Sequence, residues 1–112
     1  MSNRRNSNLL LQDIIDSGDR ILRYTENMTF DEFVSNELVI DGVIRNFEII
    51  GEAANRLTDD FKDKYQDIDW HRIRGFRNRI VHDYVGIDFE IVWRIKETML
   101  SEMLSRIKEI LK

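Results

Sequence analysis

The stretch from Glu37 to Leu57, ELVIDGVIRNFEIIGEAANRL, decides how the rest of the chain is read. Ile40, Val43, Ile44, Phe47, Ile50, Gly51, Ala54 and Leu57 recur at helical spacing and form one apolar stripe. Gly51, Ala53 and Ala54 on or beside that stripe are small, so a second helix can approach closely. Upstream, Leu10, Leu11, Ile14, Ile15, Ile21 and Leu22 mark a helix from about Ser7 to Thr25, with Gly18 a weak spot inside it. Thr29 followed by Glu32 is a capping-box pattern and predicts a short helix over Phe30–Ser35. Downstream, Thr58 with Asp59 and Asp60 starts another short helix that ends by Tyr65. Asp67 or Asp69 caps a helix from Trp70 to Tyr84, closed by Gly86. Asp88 caps the last helix, whose broad stripe includes Phe89, Val92, Trp93, Ile95, Met99, Leu100, Met103, Leu104, Ile107 and Leu111.

Four long helices with short connections predict an all-α, antiparallel four-helix bundle with short extra helices. Composition agrees. The 112 residues hold no proline and five glycines, too few turn formers for a many-stranded β fold. That length is one domain, residues 1–112. No cysteine is present, which removes thiolate catalysis and thiolate metal sites. No apolar run nears the roughly 20 residues that span a bilayer, and Leu9–Leu11 is too short for a signal-peptide core. The chain is therefore expected in the cytoplasm, away from membranes. The breadth of the last helix's stripe exceeds what one small bundle needs, and a homodimer would cover it.

With a net charge of −4 and a pI near 5.2, global electrostatics do not advertise nucleic-acid binding. The charge is locally uneven. Five aspartates and two lysines lie between Asp59 and Asp69, whereas Trp70–His82 contains no acid, four arginines and both histidines of the chain. This is either a solvated basic face or an anion-binding strip suited to phosphate. Trp70, Ile73, Arg77, Ile80, Val81 and Tyr84 share the inward stripe, so Arg77 stands where an apolar residue is expected. A guanidinium there needs an acidic partner, Glu52 or Glu48, or an anionic ligand. Asn78 and His82 are neighbours at i,i+4. Arg77 and His82 lie about 140° apart around a regular helix. Either they flank a ligand from two sides, or the helix distorts, or a second copy completes the site. His71 reads as surface. Glu48 and Glu52 share a face but lack the Glu-x-x-His companion of a carboxylate metal site, so no metal or cofactor is expected. Trp93, Met99 and Met103 read as core or dimer interface.

The segment Arg77-Asn78-Arg79-Ile80-Val81-His82-Asp83-Tyr84 fits R-x-x-x-x-H-x-Y with Asn directly after the Arg. It is similar to the signature of the HEPN superfamily, in particular its HepT-like toxin branch. Flanking residues share the resemblance: Ile49-Ile50-Gly51-Glu52-Ala53-Ala54, Asp69-Trp70, Arg74-Gly75-Phe76, Gly86-Ile87-Asp88 and Val92-Trp93. It spans nearly the whole chain. The resemblance implies a HEPN-like helical homodimer acting as a metal-independent endoribonuclease, the toxin of a toxin–antitoxin pair. Its composite site would lie at the dimer interface, with Arg77 and His82 catalytic and Asn78 and Arg79 supporting. It further implies a nucleotidyltransferase antitoxin of the MntA kind that transfers AMP from ATP to Tyr84. The residue types suit metal-free RNA cleavage: histidine serves as base or acid, arginine clamps the phosphate, and asparagine orients the histidine or donates to a phosphate oxygen. The competing reading is a non-catalytic module that binds a nucleotide or a nucleotidyltransferase.

Overall fold

Side chains at the helix starts set the element boundaries. In the computed structural model, which describes residues 2–82 and 86–112, α1 spans Ser2–Tyr24 and α2 spans Phe30–Val34. Next come α3 (Glu37–Arg56), α4 (Asp59–Lys64) and α5 (Trp70–His82). The last helix is built of α6 (Phe89–Ile95), a π-helical turn (Lys96–Leu100) and α7 (Ser101–Leu111). Among the described residues there is no strand, and no helix is long and apolar enough to cross a membrane. Thr29 and Glu32 complete the expected capping box on α2. Asn36 caps α3 by accepting from the Val39 amide. Thr58 caps α4 and Asp88 caps α6. Of the two aspartates open for α5, Asp69 accepts from the Arg72 amide at 2.9 Å, while Asp67 turns to Arg106. Each such cap satisfies a backbone donor the helix cannot satisfy itself, for about 1 kcal/mol.

The bundle is assembled around α3. Every residue of its predicted stripe is buried. It packs on α1 on one side and α5 on the other, and α7 lies against α1. The α1–α3 seam is antiparallel: Tyr24 covers Gly42, and Arg20 reaches Asn46, whose amide also donates to the Gly42 carbonyl at 2.7 Å. The α3–α5 seam closes with Gly51 against Arg77 and Phe47 edge-on to Phe76 at 5.0 Å. Gly51 therefore does what its size predicts. Gly18, expected to be a weak spot, is instead a contact point: a β-carbon there would collide with Leu104 of α7. The missing side chain lets α1 and α7 close, and packing outweighs the helix propensity lost.

Two expectations fail for reasons of helical phase. Val81 was placed on the inward stripe and is 44 % exposed. The buried sector of α5 is centred on Ile73, Phe76 and Ile80; Arg77 sits on its edge, and Val81, one turn on, falls outside. The second concerns the last helix. Plotted at 100° per residue, its buried positions from Val92 to Ile107 spread over roughly 180°. The π turn holds one extra residue, which rotates everything after it back by about 100°. Val92, Ile95, Leu100, Met103, Leu104 and Ile107 then share one narrower face, and all are buried within the chain. Trp93 packs on Phe33 at 5.1 Å and carries the Lys96 ammonium 3.6 Å above its ring centroid. The stripe is thus narrower than a uniform helix suggests, and the apolar surface it leaves is confined to partly buried side chains such as Phe89, Met99 and Leu111.

Candidate active site around Arg77

Arg77 is held from behind. Its Cβ and Cγ press on the bare backbone of Gly51, so the stem has one direction to leave α5. The guanidinium is poorly matched. Nη1 donates to Asn78 Oδ1 at 3.3 Å and Nη2 lies 3.5 Å from Glu52 Oε1. Nε is shielded from solvent and, among the described residues, has no hydrogen-bond partner. A guanidinium has five donors in a planar fork, and the two contacts here are long. The Arg77 side chain is 27 % exposed, so the fork is reached from outside. An oxyanion docking on it would gain charge-assisted, bidentate hydrogen bonds. Of the two acids weighed for Arg77, Glu52 is the neighbour.

The remaining motif residues are arranged along the outer side of α5. Asn78 is half-buried, and its carbonyl oxygen faces Arg77. Of its two expected roles, orienting His82 or donating to a phosphate oxygen, neither needs the Oδ1 that Arg77 occupies, and the amide Nδ2 donors are not engaged by this hydrogen bond. Arg79 is exposed and, among the described residues, forms no ion pair. His82 is exposed on the last turn of α5. The helix stays α-helical from Trp70 to His82, so distortion does not swing His82 toward Arg77. Their divergence of about 140° stands, and a ligand that meets both within one chain must reach around the helix. Tyr84 lies outside the described residues. His71 is exposed, as expected.

The sequence reading missed a second concavity. The seam between α5 and α7 is open and forms a groove of about 530 Å³, lined on one side by Asp67, Ile68, Arg72 and Ile73. Met99, Glu102, Met103 and Arg106 line the opposite side. Arg106 is engaged there with Asp67, which holds the Asp67 carboxyl below the usual aspartate range and raises Arg106. No periodicity signal marks a seam between helices that are distant in sequence.

Comparison with known proteins identifies the family. The model of the family described as Ribonuclease HepT-like matches residues 14–110, which include Arg77, His82 and Tyr84. The chain belongs to this family. It is 37 % identical over 102 residues to "Putative RNase MJ0127" of Methanocaldococcus jannaschii, covering 91 % of this chain and 84 % of that protein. "Putative RNase MJ1380" of the same organism is 35 % identical over 92 residues, 82 % of this chain and 84 % of that one. "Probable ribonuclease HepT" of Thermococcus cleftensis is 33 % identical over 92 residues, covering 81 % and 84 %. No solved structure matches the chain. The HepT-like family carries the HEPN-like helical fold, and the names of these relatives associate the family with RNA cleavage.

Proposed function

We propose that this chain is the toxin of a prokaryotic toxin–antitoxin pair: a cytoplasmic, metal-independent endoribonuclease. In this reading residues 1–112 form one helical domain, and two copies build a composite site. The carrying observation is Arg77, pinned over Gly51 with two long contacts and an Nε that has no partner among the described residues. Its fork fits the phosphoryl group as charge builds on it. A His82 imidazole takes the proton of the ribose 2′-hydroxyl; the 2′-oxygen bonds to phosphorus, the bond to the 5′-oxygen breaks, and a second imidazole protonates the leaving oxygen. One chain offers one His82 on a face turned from Arg77. A second copy supplies the other imidazole and resolves the divergence. Asn78 orients the Arg77 fork, and Arg79 adds positive charge.

The test is incubation of the purified protein with RNA in EDTA, beside His82→Ala. Cleavage that persists in chelator, leaves 2′,3′-cyclic phosphate ends and is lost in the variant supports the reading. Activity that needs added metal, or survives in His82→Ala, refutes it. Silencing belongs to the same proposal, and its support is the sequence motif. A nucleotidyltransferase antitoxin transfers AMP from ATP to the Tyr84 hydroxyl. The attached phosphodiester would occupy the Arg77 subsite and repel the RNA backbone. Mass spectrometry after incubation with antitoxin and ATP should show a gain of about 329 Da per AMP on the peptide bearing Tyr84.

A further inference from the structure

Four glycines in the described helices invite the question of what each leaves room for. Gly18 admits Leu104, Gly42 admits Tyr24 and Gly51 admits Arg77. Gly75 admits nothing: a β-carbon built on it meets no atom within 4 Å. Its backbone is not left-handed either, since no glycine here has a positive φ. It sits in the middle of α5, exposed to solvent, where glycine weakens a helix relative to alanine. Neither conformation nor internal packing accounts for it. What remains is close approach from outside.

The surroundings say what approaches. At 100° per residue, Arg72, Gly75, Arg79 and His82 fall within an arc of about 80°, with His71 and Asn78 at its margin. Arg72 and Arg79 stand two turns apart on either side of the glycine, roughly 10 Å along the axis. Both are exposed, and among the described residues neither forms an ion pair. No acid occurs between Trp70 and His82. The same face of a second copy is a poor occupant: an antiparallel contact of two α5 helices through Gly75 would set Arg72 of one beside Arg79 of the other, like charge on like charge. A polyanion meets no such repulsion from α5 itself; the acids that border the track, Asp67, Asp69, Glu102 and Glu109, lie on the groove side of Arg72.

We propose that the α5 face centred on Gly75 is a track for the sugar–phosphate backbone of the RNA strand. The strand lies directly on the helix backbone at the glycine, with Arg72 and Arg79 neutralising phosphates on either side. This rests on the ribonuclease reading and extends it: the track carries substrate past His82 and fixes which stretch of strand reaches Arg77.

The face predicts opposite signs for stability and binding. The probe is a fluorescein-labelled, 2′-O-methylated twelve-nucleotide oligoribonucleotide, which cannot be cleaved through its 2′-oxygen. Binding is read by fluorescence anisotropy at two salt concentrations, stability by circular dichroism. Gly75→Ala is expected to raise Tm by a few degrees, about 4 °C, because a helix former replaces glycine in open space. Gly75→Leu should keep a Tm at or above that of the natural chain and weaken binding roughly tenfold or more. Arg72→Ala and Arg79→Ala should each make the slope of log K against log salt shallower by about 0.7. Gly75→Leu binding as tightly as the natural chain at both salts overturns the proposal. So does failure of the natural chain to bind the probe. A change of sedimenting mass in Gly75→Leu with unaltered binding assigns the glycine to a protein contact and also overturns it. Intact binding that depends on Gly75, in a protein that cleaves no RNA, sustains the track and refutes only the nuclease reading.

Discussion

Arg77 and Arg106 each meet a carboxylate at an edge of α5, and they are held in opposite ways. Arg106 is tightly paired through its Nε. Its Nε donates to Asp67 at 2.5 Å, Nη1 lies 3.5 Å from Glu109, and its plane lies 5.6 Å from the Tyr65 ring centroid. The match is tight enough to depress the Asp67 carboxyl and raise the guanidinium. Arg77 has Glu52 at 3.5 Å, Asn78 at 3.3 Å and, among the described residues, nothing on Nε. One arginine ties the α4–α5 loop to α7. The other is rigid at the stem and unsatisfied at the tip, the condition expected of a group that waits for a ligand. Proximity to an acid does not separate the two roles; the closeness of the contact does, a short hydrogen bond to Asp67 for Arg106 against a 3.5 Å approach to Glu52 for Arg77.

The sharpest way to break this contrast is to truncate both. Arg77→Ala should lower RNA cleavage by about 10²–10³-fold, the scale of losing a transition-state donor, with the helical signal and melting curve retained. Arg106→Ala should leave cleavage within about twofold, as a side chain outside the site. Equal losses would erase the distinction. A second variant probes the stem: Gly51→Leu forces α3 and α5 apart and should cost at least about 1–3 kcal/mol in denaturant unfolding, with activity lost alongside. A stable, active Gly51→Leu would mean that Arg77 needs no backing. Removing the loose neighbour is gentler. Glu52→Gln should reduce KM roughly two- to fivefold by freeing the guanidinium for phosphate, with little change in melting. A raised KM would make Glu52 a positioning partner rather than a competitor.

The smallest effect belongs to the Arg106–Asp67 pair, and it depends on pH. Because Asp67 titrates below its unfolded value, its contribution is fully present above pH ~4 and fades as pH falls through the lower folded value. Asp67→Asn should therefore lower Tm slightly at neutral pH and converge with the natural chain in strong acid. Parallel melting curves across that range would show that the pair contributes nothing.

Much of this was legible in sequence, for physical reasons. Caps at Thr29, Thr58 and Asp88, and the α3 stripe, follow from local hydrogen bonding and period, and they stand as read. Arg77 was legible as a polar intruder at the edge of an apolar stripe. Its neighbour was narrowed to Glu48 or Glu52 because a four-residue step in α3 is one turn. The rest depended on relations that period does not encode. Gly18 looked weak because nothing local shows Leu104 arriving eighty-six residues later. Nothing in the period shows that Asn78 Oδ1 accepts from Arg77. The last helix looked too broad because a uniform 100° step was applied across a turn that does not obey it.

That π turn also sets how the C-terminal helix tolerates changes of length. Lys96–Leu100 stores one residue more than an α-helical turn requires. A single-codon deletion within it would close the turn to ordinary α geometry and leave Leu104 seated on Gly18. The same deletion in α7, between Leu104 and Ile107, would rotate every later side chain by about 100° and turn the distal stripe from the core. The turn is thus a slack link, the one place in this helix where reading the gene one amino acid shorter leaves the distal packing register as it was.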